Sequence, residues 1–538
     1  DFVSGNEKVV LSGNDHEQRC QLNRKMRNFH ENYLMAARDY AEMGAYEEAI
    51  GMLEECNKQY PMLHYYKAYY MAVKGKKVTS EVMGLLHKAE ACPAAYCFPN
   101  KLEDIPVLQF AIANGCKAKA GYYLGCLYYD KLQWREALAL WEASAEADAA
   151  FPAVYRNLAL VYYNKRKEIA AEAASREAVL VEDSRQEAGR QCSQSNPVDA
   201  EEECCFRMGA VWGSERYCDR QSPMNESGEC FGEGAAWKAE QQCKRCAQAA
   251  MERAFSLNPE DERIFLELDQ LYKKLDWSFE KRLEQYEAHK DLIKRRDDLY
   301  IEYITLVNLT GNYKKAYECI KEHCFHPWEG GEGKITTQYT LALLQMARAA
   351  QGEGRFAEAE EMLRKALKYP ENLGEGKLEG TKDNHIYYHL GLALEAQGRQ
   401  EEAEECFRKA AVGTDEPAGA MYYNDQPADM ILYQGLANRK LGRTSEAKSR
   451  FYRLIDYGEQ HLDDQVKVEY FAVSLPDFLI FDEDYTRRNR AHCYYLMALG
   501  HLGLGDWEKA SAYLKEAAVI EPSHMMCRIY GEAKQFLS

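Results

Sequence analysis

The sequence predicts an all-α chain, an α-solenoid of about ten helical hairpins interrupted by one irregular, cysteine-rich insert. Two observations carry that expectation. A short pattern recurs, with Gly, often an aromatic residue two positions on, and Ala five on: Gly44/Tyr46/Ala49, Gly311/Tyr313/Ala316, Gly354/Phe356/Ala359, Gly398/Ala403, Gly442/Ala447 and Gly505/Trp507/Ala510. Each Ala is followed by a large apolar residue at the fourth position and often a small one at the seventh, as at Leu53 and Cys56 or Leu363 and Ala366. Those spacings share one face of a helix.

Each part of the pattern has a physical role. Gly ends the first helix in the left-handed conformation, where a side chain is penalised. The aromatic residue plugs the turn, and Ala lets the second helix approach the first closely. Small residues at Ala37, Gly125, Ala159, Gly391, Gly435 and Ala498 serve the same purpose on the first helix.

Taken in order, residues 1–27 read as a leader with no firm structure. Residues 28–182 read as N-terminal helical repeats, with one unit from Asn28 to Pro61, a degenerate one from Met62 to Pro93, a good one from Ala118 to Phe151, and a fourth beginning at Pro152. Between 183 and 247 the periodicity gives way to Ser, Gly, Gln and Cys, and resumes at Met251–Pro259. This is an insert within one repeat, expected to be disordered or loosely folded. It holds seven of the 18 cysteines but one C-x-x-C pair, Cys243 and Cys246. A structural zinc site usually shows two such pairs, so no metal is expected. Residues 248–538 read as C-terminal repeats separated by long loops.

The loops follow from counting. Successive turn glycines from Gly311 lie 43, 44, 44 and 63 residues apart, against about 34 for a helical-hairpin unit of this type. Each excess falls after the second helix of one unit and before the first of the next. The four loops, Phe325–Lys334, Asn372–His385, Pro417–Asp429 and Tyr470–His492, are therefore equivalent in position and belong on one edge of the solenoid. Ala95–Asn100 reads as a similar interruption.

The net charge of −18 lacks the basic footprint that nucleic acid or an anionic membrane surface requires. No apolar run reaches the roughly 18 to 20 residues of a membrane helix, and no basic-then-apolar signal segment opens the chain. Scattered cysteines in helical stretches fit a reducing compartment, so the expected location is cytoplasmic. The chain opens on Asp1 rather than Met, which leaves room for an upstream segment.

The hairpin pattern resembles the tetratricopeptide repeat, making the expected fold a solenoid of tetratricopeptide-like helical hairpins. The longer phrases CFPNKLEDI (Cys97–Ile105), RDDLYIEYITLVNLTG (Arg296–Gly311), FHPWEGGEGK (Phe325–Lys334), NLGEG (Asn372–Gly376), AMYYNDQP (Ala420–Pro427) and the stretch Tyr470–Asp506 are similar to a family of bacterial tetratricopeptide-repeat proteins. The resemblance implies an N-terminal β-rich domain of carbohydrate-related context, absent from this sequence, as a possible docking partner.

Residues in the loops supply the candidate site. Trp328, Tyr422 and Tyr423 offer flat apolar faces; Glu329, Glu332, Glu375, Asp425 and Asp477 offer acceptors; Asn384, Asn424 and Gln426 both donate and accept. With His326, Asp383, His385 and Arg488 they suit a polyhydroxylated ligand such as a carbohydrate. The competing reading gives these residues local structural work, with Asp383 and Asp429 capping the helices they precede. The phosphate-loop reading of Gly333-Lys334 fails, because Trp328 stands where the first Gly belongs and Ile335 where Ser or Thr belongs. His326, His385 and His492 come from three of the four loops, so a shared metal site is conceivable, but lone loop histidines are more often ordinary, and no metal or cofactor is expected. Three functions stay open: a scaffold whose loop edge binds a ligand or a domain, a protein-interaction superhelix with the loops as braces, and part of a carbohydrate-active enzyme working through paired carboxylates.

Overall fold

The computed structural model describes residues 16–175, 231–328, 330–419, 426–466 and 480–531. Every regular element among them is helical. The chain divides between Asn258 and Pro259 into two compact units.

The N-terminal unit begins with α1 (His16–Lys25) and the hairpins α2 (His30–Glu42)/α3 (Tyr46–Glu54) and α4 (Pro61–Gly75)/α5 (Ser80–Ala91). A single helix α6 (Asp104–Ala113) precedes the hairpin α7 (Lys119–Asp130)/α8 (Trp134–Ala147). Then α9 (Pro152–Asn164), followed by helical residues 166–175, packs along α10 (Phe231–Leu257). Residues 176–230, most of the stretch read as the insert, lie outside the described residues. Two boundaries differ from the sequence reading. α1 lies within the expected leader, because Leu22 and Met26, four positions apart, are buried against the first hairpin. α10 starts at Phe231, well before residue 248, and carries Cys243 buried and Cys246 half-buried. Helical spacing turns this C-x-x-C pair toward α9, where burial pushes the Cys243 thiol up to about 11. No group of metal-ligating side chains occurs among the described residues.

The C-terminal unit contains α11 (Glu262–Lys274)/α12 (Phe279–Ala288), a short α13 (Lys290–Ile293), and α14 (Asp297–Leu309)/α15 (Tyr313–Glu322). It continues with α16 (Lys334–Gly352)/α17 (Phe356–Ala366), α18 (Asn384–Ala396)/α19 (Gln400–Ala410), α20 (Ala428–Lys440)/α21 (Thr444–His461) and α22 (Tyr485–Leu504)/α23 (Trp507–Ile520). It ends on α24 (Met525–Gly531). No helix among the described residues is long and apolar enough to cross a membrane.

The hairpins form as their turns dictate. All six pattern glycines have φ between 76° and 83°. After each, the next amide reaches back to the helix's last turn, as Arg399 N does to Leu394 O at 3.0 Å, closing the helix. Leu132 adopts the same left-handed conformation, φ 61°, in the α7/α8 turn, with Gln133 N on Tyr128 O at 2.8 Å. The six pattern alanines are 0 to 2% exposed. Opposite them the first helix is thinned: a Cβ on Gly391 would stand 2.5 Å from the Phe407 ring, and one on Gly435 2.3 Å from Phe451. Each ring thus lies on bare backbone, a burial that contributes about 1.5 to 3 kcal/mol per side chain.

In the C-terminal unit the described parts of the four loops lie between a second helix and the next first helix, and Lys334, Asn384–His385, Ala428–Asp429 and Tyr485–His492, read as loop ends, already belong to α16, α18, α20 and α22. The first helices there are buried on nearly all sides. In α20 every residue from Ala428 to Asn438 is buried. A helix buried all round has a neighbour on its inner face as well as on its hairpin face.

Candidate functional site

Among the described residues the first loop is joined to the second. Phe325 N donates to Asn372 O at 2.8 Å, and Asn372 Nδ2 donates to the carbonyls of Ile320 (2.7 Å) and His323 (2.8 Å), closing the end of α15. This approach requires Gly374, at φ 70°, since a Cβ there would stand 2.3 Å from Phe325 O. At the next hairpin Asn384, buried at the start of α18, donates to Ala410 O (2.7 Å) and Val412 O (2.8 Å), tying the start of α18 to the end of α19.

Individual candidate residues are largely committed to such work. His326 is exposed, yet its backbone N–H (2.7 Å) and Nδ1 (3.1 Å) meet Asp297, which also binds His323 Nε2 at 2.7 Å. Burial raises the Asp297 carboxyl, but the bonds from His323 and His326 outweigh it and hold it below the usual range. Trp328 is half-buried with its ring over Gly331, where a Cβ would stand 2.3 Å away, and with Lys334 Nζ 5.9 Å from the ring centre. Glu332 accepts from Gly330 N at 2.8 Å and Glu375 from Gly333 N at 2.9 Å. Burial and the nearby Glu332 raise the Glu375 carboxyl, with the Gly333 bond opposing.

The capping expectation is corrected by the structure. Asp383 stands at the N-cap of α18 but makes no cap bond, because Lys377 Nζ takes its carboxylate at 2.8 Å. Asp429 is not the N-cap, which is Pro427, but the second residue of α20; its buried carboxyl meets the first-turn amides of Asp429 and Met430 and accepts from Tyr530 OH at 3.2 Å. The helix that is capped from its loop is α22, where Asp484 accepts from Arg487 N at 3.0 Å.

His385 turns toward Tyr433, ring centres 6.0 Å apart, and burial lowers it to about 4. His492 meets Ala418 O at 2.9 Å, so the three loop histidines serve three separate environments. Gln426 Nε2 donates to Thr414 O at 2.9 Å. Arg488 lies within electrostatic reach of Glu521. Glu329, Tyr422, Tyr423, Asn424, Asp425 and Asp477 lie outside the described residues.

A site the sequence reading missed lies in the N-terminal unit. A cleft of about 510 Å³ opens between α2 and the loop that joins α5 to α6. From α2 come Glu31, Met35 and Arg38, at helical spacing on one face; from the loop come Tyr96, Phe98, Asn100 and Lys101. Phe29, Met35, Phe98 and Tyr96 are 49, 56, 71 and 85% exposed. Asp104, buried beneath, fixes the loop: it accepts from Asn100 N and Lys101 N, both at 3.0 Å, and from Tyr66 OH at 2.6 Å, with Arg38 at 3.7 Å. Cys97 anchors the loop inward, its thiol pushed up by burial to about 12, and Tyr96 is held at φ 59° with its ring outward. The alternation Tyr96 out, Cys97 in, Phe98 out was the available signal in the sequence.

Tetratricopeptide-repeat family models match residues 31–61 and 344–419, so one set of matched hairpins lies in each unit and those hairpins are tetratricopeptide repeats. The crystal structure of the APC/C hetero-tetramer Cut9-Hcn1 is similar at 11% identity, over 96% of this chain and 85% of that one, with a TM-score of 0.20. The fold stands on the hairpins themselves.

Proposed function

We propose that the chain is a protein-interaction scaffold of tetratricopeptide repeats, and that the α2–α6 cleft of the N-terminal unit takes a partner peptide through its apolar side chains. The observation that carries this is the cluster of four large apolar side chains held out of the core around one concave site. Monomeric proteins expose such patches mainly where something binds. Asp104 and Cys97 fix the loop, so little ordering entropy remains to oppose binding. Asn100 and Lys101 at the rim supply donors for a peptide carbonyl or carboxylate.

The polar atoms of His326, Glu332, Glu375, Asp383 and Asn384 bond groups of this chain, which favours bracing over ligand capture at those residues. Leu378, 80% exposed in the second loop, supports a second reading in which that edge docks a further domain.

The test is selection from a displayed peptide library on the full chain, followed by titration of selected peptides against Tyr96→Ser/Phe98→Ser. Affinity is expected to fall by more than about tenfold, as for loss of central interface aromatics, with Tm nearly unchanged because both rings are exposed. Undiminished binding by the double variant removes the cleft as the site.

A further inference from the structure

In the C-terminal unit the first helices of successive hairpins, α14, α16, α18, α20 and α22, neighbour one another in order, and α24 returns to contact α14. α24 is the element that closes this inner wall. It is seven residues long, too short to be stable alone. What holds it comes from hairpins far apart in sequence. Tyr530 OH donates to Asp429 Oδ2 at 3.2 Å, and the rings of Tyr530 and His524 lie 6.1 and 5.0 Å from Tyr495. Met525 Sδ faces Gln338 Nε2 at 3.8 Å, and Arg528 reaches Glu280 at 3.6 Å. Cys527, Ile529 and Tyr530 are buried by this docking.

The wall that receives α24 is built unlike a core. Gln338, Arg348, His389 and Asp429 are all buried on the first helices, and Gln345 Nε2, His389 Nε2 and Tyr495 OH are buried without a partner. Buried polar atoms are nearly always paired, and a carboxylate is costly to bury where a methyl group would pack. A surface that carries such groups inward is a surface that reads polar groups on whatever enters. Asp429 reads a tyrosine hydroxyl.

We infer that the inner face of the C-terminal unit is a second peptide-binding surface, held filled by the chain's own Met525–Gly531 and opened when a partner's short helix displaces it. The partner that fits presents what α24 presents: a tyrosine hydroxyl for Asp429, an aliphatic residue beside it, and a basic residue toward Glu280. The tether gives α24 an effective concentration in the millimolar range, so a competing segment must exceed that advantage or act where α24 has been released.

The experiment uses the full chain and a labelled synthetic peptide of residues 521–531, followed by fluorescence anisotropy. The variant Ile529→Asp/Tyr530→Ala releases the resident helix and leaves the wall intact. It is expected to bind the peptide at least about tenfold more tightly than the unaltered chain, and adding Asp429→Ala is expected to abolish the gain. Equal affinity of variant and unaltered chain, or no binding by the variant, overturns the inference. A second measurement needs no variant: in the unaltered chain the amides of 525–531 are expected to exchange with solvent far faster than those of α22, since a displaceable segment opens locally. Protection of 525–531 equal to that of α22 marks α24 as a fixed cap and overturns the inference as well.

Discussion

Asp104 in the N-terminal unit and Asp429 in the C-terminal unit are withdrawn from solvent to nearly the same degree, 3 and 5% exposed, and each accepts a bond from a tyrosine hydroxyl. Their surroundings differ. Asp104 also takes two loop amides and faces Arg38, so its charge is met from several directions by groups that stay in place. Asp429 has Tyr530, on the seven-residue α24, as its side-chain partner and the first-turn amides of Asp429 and Met430 as backbone ones, with no cation beside it among the described residues, and burial drives its carboxyl up to about 6. A carboxylate met on every side holds a structure together. One that lacks a cation and takes its side-chain bond from a short terminal helix is suited to recognition, and the contrast separates brace from binding surface more sharply than burial does.

The largest effect expected on the bracing side is at Arg282, which binds Asp269 through two bonds of 2.8 and 2.7 Å and Glu302 at 2.6 Å, almost wholly buried. Arg282→Ala leaves Asp269 buried without its cation, a loss of about 3 to 5 kcal/mol read by denaturant unfolding. A loss under about 1 kcal/mol would mean that Asp269 finds water, and would break the distinction drawn here.

Asp429→Asn tests the other side, with the opposite sign. Because the folded carboxyl is raised from an ordinary 3.8 to about 6, the folded state binds the proton more tightly than the unfolded state. Its favourable contribution is present below pH 3.8 and is lost as pH rises through about 6. Asn, always neutral and still able to accept from Tyr530, escapes that loss. The variant is expected to be more stable than the unaltered chain at pH 7, by on the order of 1 to 3 kcal/mol, and equal to it near pH 4. A pH-independent difference between the two proteins would show that Asp429 is not the titrating group. His385, lowered to about 4 by burial, acts on the acid side, costing stability as pH falls below 6.5, and is common to both proteins.

How much of this was legible in the sequence depends on whether the cause was local. The six turn glycines and their alanines were legible because a left-handed turn and a close helix contact each demand one residue type. The loop positions followed from counting between those glycines. Leu132 shows the limit: its turn has the same conformation without glycine, and Trp134 and Ala137 alone betray it. Asp383 and Asp429 read alike, as acids before helical patterns, but one is taken by Lys377 and the other points inward to a helix about a hundred residues on. The cleft was not legible because Phe29 and Met35 meet Tyr96 and Phe98 only once intervening hairpins have folded. The loop polar groups were visible, but whether they face a ligand or a neighbouring carbonyl is decided by tertiary contact.

The smallest expected effect is at Tyr66. Tyr66→Phe deletes one hydroxyl from Asp104 but leaves the two loop amides and Arg38 in place. A carboxylate with three remaining partners loses little, about 0.5 to 1.5 kcal/mol for one net hydrogen bond. The loop should keep its conformation, so peptides selected on the cleft should bind Tyr66→Phe within about twofold of the unaltered chain. If this substitution instead cost as much as Arg282→Ala, Asp104 would depend on one hydroxyl, and the cleft would rest on a switchable contact rather than a fixed one.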